Sequence, residues 1–274
     1  MRVFISLALL FCMVTSAFAD EDYAYYEDND YIEDEAGDEF TSKIWDPFES
    51  INRPIAKFND IITEPALTVV DWYGKIVPQY VRTGMRNSIR NLSEPFYAAN
   101  NIIEGDLDGI FASAARFTIN TFAGFGGIID VAGNGCMPYT PQGLNTTLGV
   151  YGVPTGPYLV LPFLGPSNLR HTTSMATEFL IYDLYSPDGA ILDQIHPPHK
   201  DAARYSYQGF KIVDSLDSSK DAIRSGREIA IDFYSFSKAA FYQIEGNKIK
   251  NAKYVWVSDS SCNTTARKNR QDDF

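Results

Sequence analysis

The side chains best placed for chemistry are Ser113, Arg116 and Asn120. Their spacing puts them on one side of a helix, in a narrow stripe that also holds Asp106, Gly109, Gly124 and Gly127. The rest of that helix is apolar. Phe111, Ala115, Phe122, Phe125 and Ile129 share one face, and Leu107, Ile110, Ala114 and Phe117 lie beside it. A guanidinium offers a planar fork of donors that suits a phosphate. One reading therefore has Ser113, Arg116, Asn120 and Gly124 bordering a wet lumen, with Arg116 as the phosphate contact. The other has a buried helix packing tightly through its small residues, with Arg116 in an ion pair with a carboxylate such as Asp130.

Hydrolytic and metal chemistry find less support. Ser167 lies in Gly165-Pro166-Ser167-Asn168-Leu169, which lacks the second glycine of a nucleophile elbow. The only histidines are His171, His196 and His199. His196 and His199 flank two prolines that deny them a helical register, and no third ligand accompanies them. There is no P-loop and no Cys-x-x-Cys. The expectation is no catalytic residue, no metal and no cofactor.

The elements that must position these groups follow from periodicity. Asp106–Gly127 reads as a helix, but Arg116 near its middle would cost roughly 2.5–3.5 kcal/mol facing lipid, so it is not a membrane span. Gly149–Arg170 carries Pro154, Pro157, Pro162 and Pro166 among Gly149, Gly152, Gly156 and Gly165. Each interior proline costs a helix roughly 3 kcal/mol, so this greasy stretch is irregular or partly extended. Asp46, Pro47 and Glu49 predict a capped helix start, followed by an apolar stripe of Ile44, Phe48, Ile51, Ile55, Phe58 and Ile62. Pro54 predicts a kink or break near Ile51. Further helices are expected over Pro65–Ile76, Pro78–Asn91, Thr172–Tyr185, Lys200–Leu216 and Asp217–Gln243, with Arg82, Arg86 and Arg90 along one edge of the second.

Composition sets the frame. The chain has 274 residues and a formal charge of -12, but 11 of its 35 acids lie in residues 20–39. Without that run and Arg2 the body holds 24 acids against 22 bases, so no basic stripe argues for nucleic acid. Residues 1–19 read as a signal peptide cleaved after Ala17-Phe18-Ala19, with no lipid attached at Cys12. Residues 20–43 read as an acidic flexible tether, and 244–274 as a polar C-terminal tail. Cys136 and Cys262 are then either a disulfide or two free thiols.

Several blocks resemble the VacJ/MlaA family. They are DPFESINRPIAKFND (Asp46–Asp60), Val77–Pro95, RFTINTFAGFGGIIDVA (Arg116–Ala132), TLGVYGVPTGPYLVLPFLGPSNLR (Thr147–Arg170) and DFYSFSKAAFYQ (Asp232–Gln243). The motif positions are Asp46, Pro47, Asn52, Arg53, Phe58, Asn59, Gly149, Gly152, Gly156, Pro157, Pro162, Gly165, Pro166, Ser167 and Arg170. The chain departs from the family pattern at His171, where Asp is common, and at Pro54. It also lacks the lipobox cysteine.

The resemblance implies a mainly α fold over residues 44–243. That fold is a single ring-shaped helical domain with interfacial amphipathic helices, a central amphipathic channel and a Gly/Pro-rich irregular segment. It implies intermembrane phospholipid transport, in which misplaced glycerophospholipid leaves the outer leaflet of the outer membrane for a periplasmic carrier protein. Trimeric porins are partners of several members. The rival expectation is a soluble periplasmic lipid-binding or adaptor protein without membrane insertion.

Overall fold

The computed structural model describes residues 44–185 and 199–254. Within them lie eight helices and one two-stranded hairpin. In chain order these are α1 (Glu49–Ile76), α2 (Gln79–Glu104), α3 (Leu107–Phe122), α4 (Val131–Asn134), α5 (Leu144–Val150), β1 (Tyr158–Leu161), β2 (Gly165–Asn168), α6 (Leu169–Tyr185), α7 (His199–Ile229) and α8 (Phe233–Lys250). The mainly helical expectation holds. The signal peptide, the acidic tether, His196 and Cys262 lie outside the described residues.

Helix α1 corrects two expectations. It runs unbroken through Pro54 and Pro65 instead of breaking near Ile51 and restarting at Pro65. Each proline forfeits one backbone bond, and tertiary contacts offset the loss. Asn52 and Asn59 flank Pro54 and are bonded to β1. Leu67 and Val70 are buried just beyond Pro65. Helix α2 likewise continues past Asn91 and Pro95 to Glu104. It ends where Gly105 turns left-handed at φ 70°, so that its N–H reaches the Ile102 carbonyl and the Asp106 N–H reaches that of Asn101. The expected break at Leu216 is also absent, because α7 is continuous to Ile229.

The contacts divide the chain into two compact units. The first takes the chain to Trp72, 153–180 and 205–248. Its core is Tyr158, Val160 and Tyr234, with Ile44, Ile55, Ala56, Phe241 and Tyr242 packed against them. The Tyr158 and Tyr234 rings meet edge-on at 5.9 Å. Strands β1 and β2 are antiparallel, Tyr158 opposite Asn168 and Leu161 opposite Gly165. The Gly/Pro stretch is thus partly extended, as expected.

The second unit takes 73–152, 181–204 and the chain from 249 on. Here α3 ends at Phe122, not Gly127. Phe125, Gly126 and Gly127 all have positive φ, which no α-helix tolerates in series. Gly127 N–H bonds the Asn120 carbonyl and closes the turn.

Burial runs against the usual order. Among the described residues, 22 polar or charged residues are buried against 10 hydrophobic ones, while 27 large hydrophobic residues are exposed. Water-soluble folds place most charge outside and aliphatics within, and the described residues depart from that order.

Candidate functional site

In the first unit, α1 holds the hairpin through side-chain amides. Asn52 donates to the Tyr158 carbonyl at 3.1 Å and accepts from Val160 N–H at 2.9 Å. Asn59 donates to the Leu161 carbonyl at 2.9 Å and accepts from Phe163 N–H at 2.7 Å. Tyr158 N–H reaches the Trp45 carbonyl at 2.9 Å. The outer edge of β1 is therefore covered. Phe58 and Phe163 pack edge to face at 5.2 Å over the hairpin turn, which contains Pro162.

Asp46 does more than the expected helix cap. Helix α1 starts at Glu49, after Pro47 and Phe48 form a turn. The Asp46 carboxylate accepts from Asn52 Nδ2 at 2.9 Å, Tyr234 Oη at 2.5 Å and Lys238 Nζ at 3.2 Å. Burial, with that carboxylate beside it, holds the Tyr234 phenol protonated. Arg53 pairs with Glu49 at 2.6 Å and Asp232 at 2.9 Å, and its guanidinium lies 4.4 Å from the Tyr234 ring centre.

At the far end of the hairpin, Arg170 donates to the Val153 carbonyl at 2.6 Å and to Glu245 at 2.8 Å. Asn168 donates to the same Glu245 at 2.5 Å and accepts from His171 N–H at 2.8 Å, which starts α6. Gly156 lies so close to Leu169 that a Cβ there would sit 2.9 Å from the Leu169 Cβ. Gly149 lies in α5, Gly152 in the following turn, and Gly165 and Pro166 open β2. The Ser167 hydroxyl bonds His171 Nδ1 at 3.0 Å and Thr172 at 2.9 Å. It is 1% exposed. Burial pushes the His171 pKa down to about 4, and Lys248 and Arg170 add to the effect. Glu245 has no signal in the sequence, because its partners lie 75 and 77 residues earlier.

The polar stripe of α3, in the second unit, is buried, with the Arg116–Asp130 ion pair that was the alternative to a lumen. Ser113, Arg116 and Asn120 are 4%, 2% and 3% exposed. Arg116 donates from Nε to Glu94 at 2.5 Å, from Nη2 to Asp130 at 3.2 Å, and from Nη1 to the Met137 carbonyl. Asn120 donates to Asp130 at 2.8 Å and accepts from Ala132 N–H at 2.9 Å. Asn101 donates to Ser113 at 3.4 Å. Gly124 is buried too: a Cβ would fall 2.2 Å from the Ile129 carbonyl oxygen. These groups end on protein because Glu94, Asp130 and the Met137 carbonyl come from other elements, which helical spacing along α3 cannot reveal. Burial pushes the Glu94 carboxyl up to about 7, against the pull of Arg116. Cys136 is disulfide-bonded.

What faces outward is apolar. On α1, Ile51, Pro54, Phe58, Ile61, Pro65, Val69, Trp72 and Ile76 are all exposed at alternating three- and four-residue steps. Ile44 and Ile55, expected on that outer stripe, pack on the core instead. At a rise of about 1.5 Å per residue the stripe runs roughly the length of the helix, about 40 Å. On α3 and the turn after it, Leu107, Phe111, Phe122, Phe125, Ile128 and Ile129 are exposed. Among the described residues no helix is long and apolar enough to cross a membrane.

Comparison with known proteins agrees with this geometry. The profile of the MlaA lipoprotein family matches residues 44–248. An uncharacterized protein of Rickettsia felis is 35% identical over 188 residues, 67% of this chain and 73% of its own length. The intermembrane phospholipid transport system lipoprotein MlaA of Escherichia coli K12 is 40% identical over 131 residues, 46% of this chain and 52% of its own. The chain thus spans about half the length of that relative. A solved structure described as the structural basis for maintenance of bacterial outer membrane lipid asymmetry superposes with TM-score 0.57 and 28% identity. That match covers 74% of this chain and 98% of the other.

Proposed function

The chain belongs to the MlaA lipoprotein family, and on that premise we propose that it serves intermembrane phospholipid transport. It takes misplaced glycerophospholipid from the outer leaflet of the outer membrane and passes it to a periplasmic carrier, which keeps the membrane asymmetric. No catalytic step is assigned to it.

One observation carries this reading: the inverted burial, with apolar stripes outside and polar networks within. Apolar surface gains roughly 25 cal/mol per Å² when acyl chains replace water. The stripes of α1 and α3 are suited to lie along a membrane interface, each helix parallel to the surface with its greasy side down. The hairpin, held to α1 by Asn52 and Asn59, is then fixed to the helix that meets lipid. A phospholipid leaving a membrane keeps two water-insoluble acyl chains, so a carrier protein must receive it. A trimeric porin is a further partner in this reading. The outer membrane, at its periplasmic face, is the location. A soluble periplasmic adaptor accounts less well for 27 exposed large hydrophobic residues.

Mass spectrometry of the protein extracted from its native envelope tests the proposal. Co-purified glycerophospholipid is expected in the membrane fraction. Lipid-free protein recovered wholly in the soluble fraction would favour the adaptor.

A further inference from the structure

The recess beside Arg116 is lined largely by polar side chains. It is lined by Glu94, Asn101, Ala112, Ser113, Arg116 and Gln142 among others, and it is too tight to admit water. Two carboxylates, Glu94 and Asp130, share the one guanidinium of Arg116. Two further oxygens, Asn101 Oδ1 and Gln142 Oε1, have no donor. Gln142 cannot turn its amide round to relieve this, because its Nε2 donates to the Ala252 carbonyl. Three of the five guanidinium N–H groups go to Glu94, Asp130 and Met137. With both carboxylates ionised the cluster would hold net charge -1, with the Glu94, Arg116 and Asp130 side chains 1%, 3% and 29% exposed. A buried uncompensated charge is costly.

We propose that this recess is a proton-binding site, with Glu94 held as the neutral acid and Arg116 left to Asp130 as its counter-charge. The proton comes from solvent onto a Glu94 carboxylate oxygen and removes the excess charge. The charged and titratable groups facing Glu94 are Arg116 from α3, Asp130 at the start of α4 and Tyr254 near the end of the described chain. Arg90, on the same helix as Glu94, lies over the Tyr139 ring that Arg116 also faces. Burial raises the Glu94 carboxyl most, Arg116 pulls against it, and Asp130 adds a smaller push upward. Loss of the proton at higher pH leaves the surplus negative charge at the seam between α2 and α3, which should loosen it.

The test is a side-chain carboxyl titration of the full-length protein by carbon-detected NMR, alongside thermal stability across pH. The wild type should show a carboxyl titrating near neutrality, and Glu94→Gln should lack it. Glu94→Gln cannot ionise, so the wild type should lose thermal stability relative to it as pH rises from about 4.5 to about 7, the interval between the unfolded and the folded pKa. Taking the difference cancels the opposing titration of His171. Asp130→Asn should move the Glu94 midpoint down, since it removes the like charge beside it. If Glu94→Gln does not fold, the wild-type and Asp130→Asn titrations decide. A wild type with no carboxyl titrating above about pH 6, or a neutral titration that survives in Glu94→Gln or is unmoved in Asp130→Asn, overturns the proposal.

Discussion

Asn52 and Asn59 stand two helical turns apart on α1, and each offers its carboxamide to the outer edge of β1 as another strand would. Each accepts from one backbone N–H and donates to one carbonyl, at 2.7 to 3.1 Å. Removing a partner from a buried backbone group costs about 1–3 kcal/mol. Asn52 is 2% exposed and Asn59 is half-buried, so Asn52→Ala should destabilise more than Asn59→Ala. Hydrogen exchange should quicken at Val160 in the first variant and at Phe163 in the second. Unchanged exchange at both amides would show that the hairpin does not depend on α1.

Arg116→Ala leaves the buried Glu94 and the half-buried Asp130 without their shared partner and should cost about 3 kcal/mol, the low end of the range for breaking a buried ion pair. Adding Asp130→Asn should cost little more, because the partner has already gone. Denaturant unfolding of both proteins checks this. A stable Arg116→Ala protein with a transport defect would instead restore the reading of Arg116 as a phosphate contact.

His171 predicts a stability change of definite sign. Its folded pKa is lowered from 6.5 to about 4, so the unfolded chain binds the proton more readily. The stabilisation is complete above the unfolded value and is lost as pH falls toward the folded one. The slope is at most about 1.4 kcal/mol per pH unit. Unfolding of the wild type and of His171→Asn, which keeps a polar group near Ser167, should diverge in that window. Parallel pH profiles would show that His171 does not titrate on unfolding.

The outer stripe of α1 is tested at Ile51 and Ile61, which are 58% and 73% exposed. Burying a large aliphatic side chain is worth about 1.5–3 kcal/mol. Ile51→Glu with Ile61→Glu should therefore release the protein into the soluble fraction while leaving its melting temperature close to wild type. Full membrane retention of the folded double variant would count against an interfacial α1. Ile55 is unsuitable for this test because it packs on the core.

Much of the fold could be read from local pattern. The prolines and glycines of Gly149–Arg170 ruled out a helix, and the structure has two four-residue strands there with turns around them. Local pattern failed where distant contacts outweigh it. Pro54 and Pro65 are strong breakers, yet α1 passes through both because β1 and the core hold it. The spacing of Ser113, Arg116 and Asn120 put them correctly on one face of α3, but spacing cannot tell a wet face from a buried one. What decides is Glu94 on α2 and Asp130 beyond the turn, each contributing a carboxylate. Asn52 and Asn59 stood out only as motif positions of the resemblance, and their partners lie more than 100 residues away. Glu245 was invisible for the same reason.

The central claim is that this chain removes phospholipid from the outer leaflet, with the hairpin latched to α1 as part of the working structure. The direct measurement is phospholipid on the surface of intact cells, quantified by digestion with externally added phospholipase in the native bacterium lacking this gene. Surface phospholipid should rise on deletion and fall again with the wild-type gene. It should stay raised with a double Asn52→Ala, Asn59→Ala variant that still reaches the membrane. Surface phospholipid that is unchanged by deletion would contradict the account.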